Sequence, residues 1–157
     1  MIKQHGNQAG QKQITLWLFY GMVTAIMWGL KQHYSNAVAD DLMWILNPVA
    51  AIVEAVDGLA YTWQVGVGWV RSDGFIIIAK SCAGVNFMIM LFGLSTIAFL
   101  HRLKDLRWQL LWLIVVMLAA YAISIGINSL RIMISIILYE NHWSWQWFTP
   151  ERLHRVL

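Results

Sequence analysis

Three side chains of this sequence form a set that could break a peptide bond: the thiol of Cys82, the guanidinium of Arg131 and the imidazole of His154. A thiolate is a strong nucleophile, a fixed cation stabilises the oxyanion formed when it attacks a carbonyl, and an imidazole carries a proton to the departing amine. Cys82 is the only cysteine, which excludes an intrachain disulfide and a multi-thiolate metal site. It stands in Ser81-Cys82-Ala83-Gly84, where a polar loop meets a long apolar run. Ser81 can N-cap a helix starting there, leaving Cys82 in the first turn, where free N–H groups and a partial positive charge favour the thiolate.

Each member of the set also has a plainer reading. A lone cysteine in an apolar chain usually packs as a small hydrophobe. Arg131 can snorkel to a membrane surface. His154 can be an interfacial side chain, and His142 competes with it for the same role. His5 and His101 read as cytoplasmic, and His33 carries no pattern of its own. What favours chemistry is the company of Arg131: Ser124, Asn128, Arg131 and Ser135 recur at helical spacing as one polar stripe on an otherwise apolar surface. Such a stripe faces protein or water rather than lipid. Cys82, Asn86 and Gly93 recur in the same way, so the two stripes can face each other. Ser81, Asn86 and Asn128 are therefore the candidate substrate-contacting or supporting residues.

The elements that must position these groups are membrane elements. Apolar residues make up 59% of 157, with ten Trp and only two Pro, a balance that a soluble domain of this size does not sustain. A formal charge of +3 without a long basic block speaks against nucleic acid as a partner. Uncharged runs at about 14–30, 83–100 and 108–127 predict three spans of one integral membrane domain over 1–157. No small-residue cleavage site follows the first run, which reads as a retained anchor. The apolar stretch 41–63 contains Pro48, Glu54, Asp57 and Gly58. Each charge would cost about 2.5–3.5 kcal/mol at the centre of a span, and Glu54 and Asp57 share a helical face, so an interfacial helix fits better than a crossing.

Charge sets the orientation. Arg102, Lys104 and Arg107 outweigh Asp105 in the loop after the second span, and Lys3 and Lys12 precede the first, which makes both cytoplasmic. From Lys31 to Lys80 three basic residues face five acidic ones, so this loop belongs outside. Cys82 and Arg131 then lie at the same outer face. Asp73-Gly74 between the β-prone runs 65–70 and 75–79 signals a short outer hairpin that leads into the thiol; it can cover the site or pair an extended substrate. The apolar run continues past Arg131 to Tyr139, too long for one perpendicular span, so the third helix must tilt, project or break. Residues 142–148 are dense in interfacial aromatic side chains, and Thr149-Pro150 predicts a further helix start that carries His154 in its first turns. The expected fold is thus all-α: a polytopic membrane helical bundle with an interfacial helix and a short extracytoplasmic hairpin.

Ser81-Cys82-Ala83-Gly84-Val85-Asn86 at the head of one membrane helix, Asn128-Ser129-Leu130-Arg131-Ile132 at the end of the next, and Leu153-His154-Arg155-Val156-Leu157 afterwards resemble the exosortase/archaeosortase family. The length and the His-Arg-Val-Leu ending look most like its small exosortase K branch. The resemblance covers roughly 60–157. It implies a multi-pass cysteine protease or transpeptidase of a bacterial plasma (inner) membrane. Such an enzyme would cut C-terminal sorting tails of exported proteins at the outer face. It also implies Cys82 as nucleophile, Arg131 as catalytic arginine and His154 as the histidine. The family often has Ser where this chain has Ala83. Tail-bearing exported proteins and membrane lipid are the partners implied, with no cofactor and no metal. No histidine lies mid-span to ligate haem, and no phosphate-binding glycine loop or paired-histidine zinc motif is present. The competing reading is a non-catalytic integral membrane subunit or assembly partner that packs through its Trp-rich face.

Overall fold

The structure is a computed structural model and describes residues 3–103 and 105–140. It is mostly helical. The apolar runs form α1 (Lys3–Asn36), α3 (Val85–Phe99) and α4 (Leu106–Glu140), and the stretch with Pro48 forms α2 (Met43–Asp57). Among the described residues two helical stretches, Lys80–Arg102 and Leu106–Tyr139, are long and apolar enough to cross a membrane. The α4 helix answers the length question raised by its sequence: it runs 35 residues, about 52 Å at 1.5 Å per residue, without a break.

A three-stranded antiparallel sheet departs from the all-α expectation. Its strands β1 (Tyr61–Gln64), β2 (Gly68–Arg71) and β3 (Ile77–Ile78) lie in the order β1-β2-β3. The hairpin expected at Asp73-Gly74 is β2–β3; β1 is an addition. It pairs with β2 through the turn at Val65–Val67.

The chain divides into two compact units, one of residues up to Ser35 with Val85–Tyr121, the other of Asn36–Gly84 with the chain from Ala122 onward. In the first, apolar contacts dominate. Phe19 and Val23 of α1, Met88, Ile89 and Phe92 of α3, and Leu113, Val116 and Ala120 of α4 are buried. Met27 lies against Gly93, where a larger residue would displace it, and the rings of Phe99 and Trp112 stand 5.6 Å apart. Two buried polar side chains bond locally, Thr96 Oγ1 donating to Phe92 O at 2.8 Å and Gln109 Nε2 to Leu103 O at 2.9 Å, whereas the buried Trp112 Nε1 has no hydrogen-bond partner among the described residues.

The second unit is built on α2. Ile45, Leu46, Val49, Ala50 and Val53 follow helical spacing and are fully or almost fully buried. The helix has 15 residues, about 22 Å, against a hydrocarbon core of about 30 Å. Gly58, with φ +73, ends it in a left-handed cap whose N–H reaches Glu54 O. One expectation is corrected here. Glu54 is exposed, but Asp57 is not on a solvated face with it; the Asp57 side chain is 7% exposed and turns inward to Arg71. The exposed side of α2 carries Trp44, Ile52 and Val56. Trp69 Nε1 donates to Asn47 Oδ1 at 3.1 Å and ties the sheet to this helix.

Candidate functional site

Cys82 is delivered by the sheet. The chain leaves β3, stays extended at Ala79 (φ −95°, ψ −176°) and folds into a 3-10 turn over Lys80–Cys82, closed by Cys82 N–H to Ala79 O at 2.9 Å. Lys80 Nζ donates to Ala37 O at 2.7 Å, which fixes the start of this turn. Cys82 is half-buried, and Ser81 beside it is exposed, with Oγ and Sγ 4.0 Å apart.

This geometry corrects the expected helix start. Ser81 caps nothing: no side-chain hydrogen bond closes the turn from Lys80 to Cys82, and α3 does not begin until Val85. Cys82 is therefore in the 3-10 turn rather than the first turn of α3. The break between them is Gly84, at φ +64 in the left-handed region.

Gly84 is also where the turn meets α4. A Cβ on it would fall on the Asn128 amide and crowd Ser124 Oγ. Ser124 Oγ donates to Gly84 O at 3.0 Å, and Asn128 Nδ2 donates to Ser124 O at 2.9 Å. Ser124 and Asn128 are 0% and 4% exposed. The polar stripe seen in the sequence thus packs directly on the loop that holds Cys82. Arg131, next on the stripe, is half-buried; its backbone carbonyl accepts from Ser135 Oγ at 2.9 Å. Among the described residues its guanidinium makes no ion pair. Asn86 belongs to the first unit, where its Oδ1 accepts from Lys31 Nζ at 2.8 Å. His154 and its competitor His142 lie outside the described residues, as do the aromatic segment 142–148 and the helix start at Pro150. Among the described residues no group of three His, Cys, Asp or Glu could hold a metal ion.

A second polar cluster was missed by the sequence reading. Arg71, 4% exposed, grips Asp73 with two nitrogens, Nε to Oδ1 at 3.0 Å and Nη2 to Oδ2 at 2.7 Å, and reaches Asp57 Oδ1 with Nη1 at 3.3 Å. Tyr61 O–H donates to Asp57 Oδ2 at 3.0 Å. The Arg71 hydrogen bond holds the Asp73 carboxyl below its ordinary value, while burial, followed by the Asp57 contact, pushes the Tyr61 hydroxyl well above the usual tyrosine range. The signal available in the sequence was Arg71-Ser72-Asp73 at a turn, in a loop whose acids outnumber its bases.

Neither a family model, nor a curated protein, nor a solved structure matches this chain. The functional reading therefore rests on its own residues.

Proposed function

We propose that this chain is an exosortase-like membrane cysteine protease or transpeptidase that cuts C-terminal sorting tails of exported proteins at the outer face of the plasma membrane. The observation that carries this reading is the docking of the Cys82 loop, through Gly84, onto Ser124 and Asn128. Arg131 follows Asn128 by three residues on the same stripe, about 4.5 Å further along the helix axis. A buried, neutral contact thus sits beside a cation that lacks an ion-pair partner among the described residues, on the helix against which the thiol loop packs. That combination suits oxyanion stabilisation better than packing alone.

In this reaction the Cys82 thiolate attacks the carbonyl carbon of the tail's scissile bond. A C–S bond forms, and Arg131 neutralises the charge that develops on the carbonyl oxygen. His154 passes a proton to the leaving amine as the C–N bond breaks. The acyl-enzyme then goes to water or to an amine acceptor. Two apolar helical stretches support a membrane setting, and the loop charges support an outward-facing thiol.

The test is a Cys82→Ala strain. Exported proteins bearing a hydrophobic, basic-ended C-terminal tail should accumulate uncut, and unchanged processing would overturn the proposal in favour of a non-catalytic membrane subunit. Arg131→Gln should lower turnover with little change in melting temperature. A membrane-impermeant thiol reagent should label Cys82 from outside intact cells.

A further inference from the structure

The register of the sheet leaves one edge without a partner strand among the described residues, and the chain runs from that edge into the turn that carries Cys82. Arg71 N–H donates to Ile76 O at 2.9 Å, so the facing pairs that exchange hydrogen bonds between β2 and β3 are Arg71 with Ile76 and Trp69 with Ile78. The pair between them, Val70 with Ile77, does not exchange bonds, and Val70 turns its backbone groups toward Thr62 of β1. Ile77 must therefore direct its N–H and C=O away from the sheet. Ala79, two residues on and still extended, repeats the outward N–H, while its carbonyl is taken by Cys82. No strand among the described residues lies along this edge. Ile77 is 47% exposed, whereas Ile78 is fully buried and holds β3 to the core.

We infer that the outer edge of β3, from Ile77 to Ala79, binds the polypeptide substrate as an added strand and delivers its scissile carbonyl to Cys82. The inference rests on the peptidase reading and specifies how that site takes its substrate. Two donors with an acceptor between them, spaced two residues apart, match an extended backbone and no side chain in particular. The chain passes from this edge directly into the 3-10 turn, where Cys82 N–H bonds the carbonyl of Ala79, so a strand paired as far as Ala79 ends three residues before the thiol. The hydrogen bonds are sequence-independent, which suits a recognition element shared by different exported proteins.

The test uses the exported protein that accumulates uncut in the Cys82→Ala strain. Peptides spanning its cut site, each N-methylated at one backbone amide, are offered to the wild-type enzyme in its membrane. Strand addition predicts a period of two: kcat/KM falls about tenfold at alternate positions and little at those between, on one side of the cut. Alternation before the cut means a strand parallel to β3, and alternation after it an antiparallel one. Uniform tolerance or uniform loss overturns the inference while leaving the peptidase reading intact. If no protein accumulates in that strain, the peptidase reading fails first and takes the inference with it. On the enzyme side, Ile77→Pro removes the outward N–H without touching the bonds to β2. It should raise KM about tenfold while Cys82 reacts with a small alkylating reagent at its wild-type rate. Unchanged KM counts against strand addition, as does a change of oligomeric state on Ile77→Pro without alternation in the peptide series.

Discussion

Cys82 is held from two sides by different physics. Upstream, the hairpin that leads to it is fastened by charge: Arg71 bridges Asp57 at the end of α2 and Asp73 in the β2–β3 turn, in a setting where the guanidinium is almost fully buried. Downstream, Gly84 is fastened by fit, a bare backbone pressed on Asn128 and Ser124 with neutral hydrogen bonds only. An ionic anchor is costly to half-remove and responds to acid. A neutral close contact ignores pH and is intolerant of a single methyl group. The lesson is that the thiol loop can lose one anchor under conditions that leave the other untouched, so the two are separable by experiment.

The largest effect should come from Arg71→Met, which strands Asp57 without its cation and should cost about 3–5 kcal/mol in thermal or denaturant unfolding. If the loss is small, the upstream anchor is not ionic in the sense described. Gly84→Ala should follow at about 2–4 kcal/mol, from the left-handed backbone together with the collision with Asn128. Its unfolding should keep the wild-type pH dependence. Asn128→Ala opens the space that Gly84→Ala needs; alone it should cost about 1–2 kcal/mol, and the double variant should be less destabilised than the sum of the two. The smallest effect separates the anchors by acid. Asp73 titrates below its ordinary 3.8, so the unfolded chain takes up its proton first, and the stability it adds is present at neutral pH and lost as pH falls from about 4 through the lowered value. Asp73→Asn should flatten that acid slope, whereas Asn128→Ala should leave it unchanged. At the alkaline end the sign is set by Tyr61, whose raised value means that stability falls as pH climbs past 10.

The helices were legible because a long apolar run has few alternatives: α1, α3 and α4 cover the runs at 14–30, 83–100 and 108–127, and differ from them mainly at the ends. The β2–β3 turn was legible from Asp73-Gly74, a local signal. The strand β1 was not, since four residues, Tyr61 to Gln64, read equally well as the tail of an interfacial helix. The partnership of Asp57 with Arg71 was hidden because it joins a helix end to a strand end across 14 positions, a distance that no periodicity encodes. At the site, the stripe from Ser124 to Arg131 came from helical spacing alone. The offset of Cys82 from α3 did not, because the left-handed bend at Gly84 is fixed by its close contact with Asn128, a tertiary fact.

The solitary thiol also makes the molecule its own reporter. With one thiol in the sequence, half-buried in the turn between the two anchors, a nitroxide or fluorophore attaches to one position with no cysteine-free background to engineer. Its line shape or polarisation then reads the mobility of that turn directly. A spectroscopist can thus watch the upstream fastening loosen in acid and the downstream one give way in Gly84→Ala without measuring turnover.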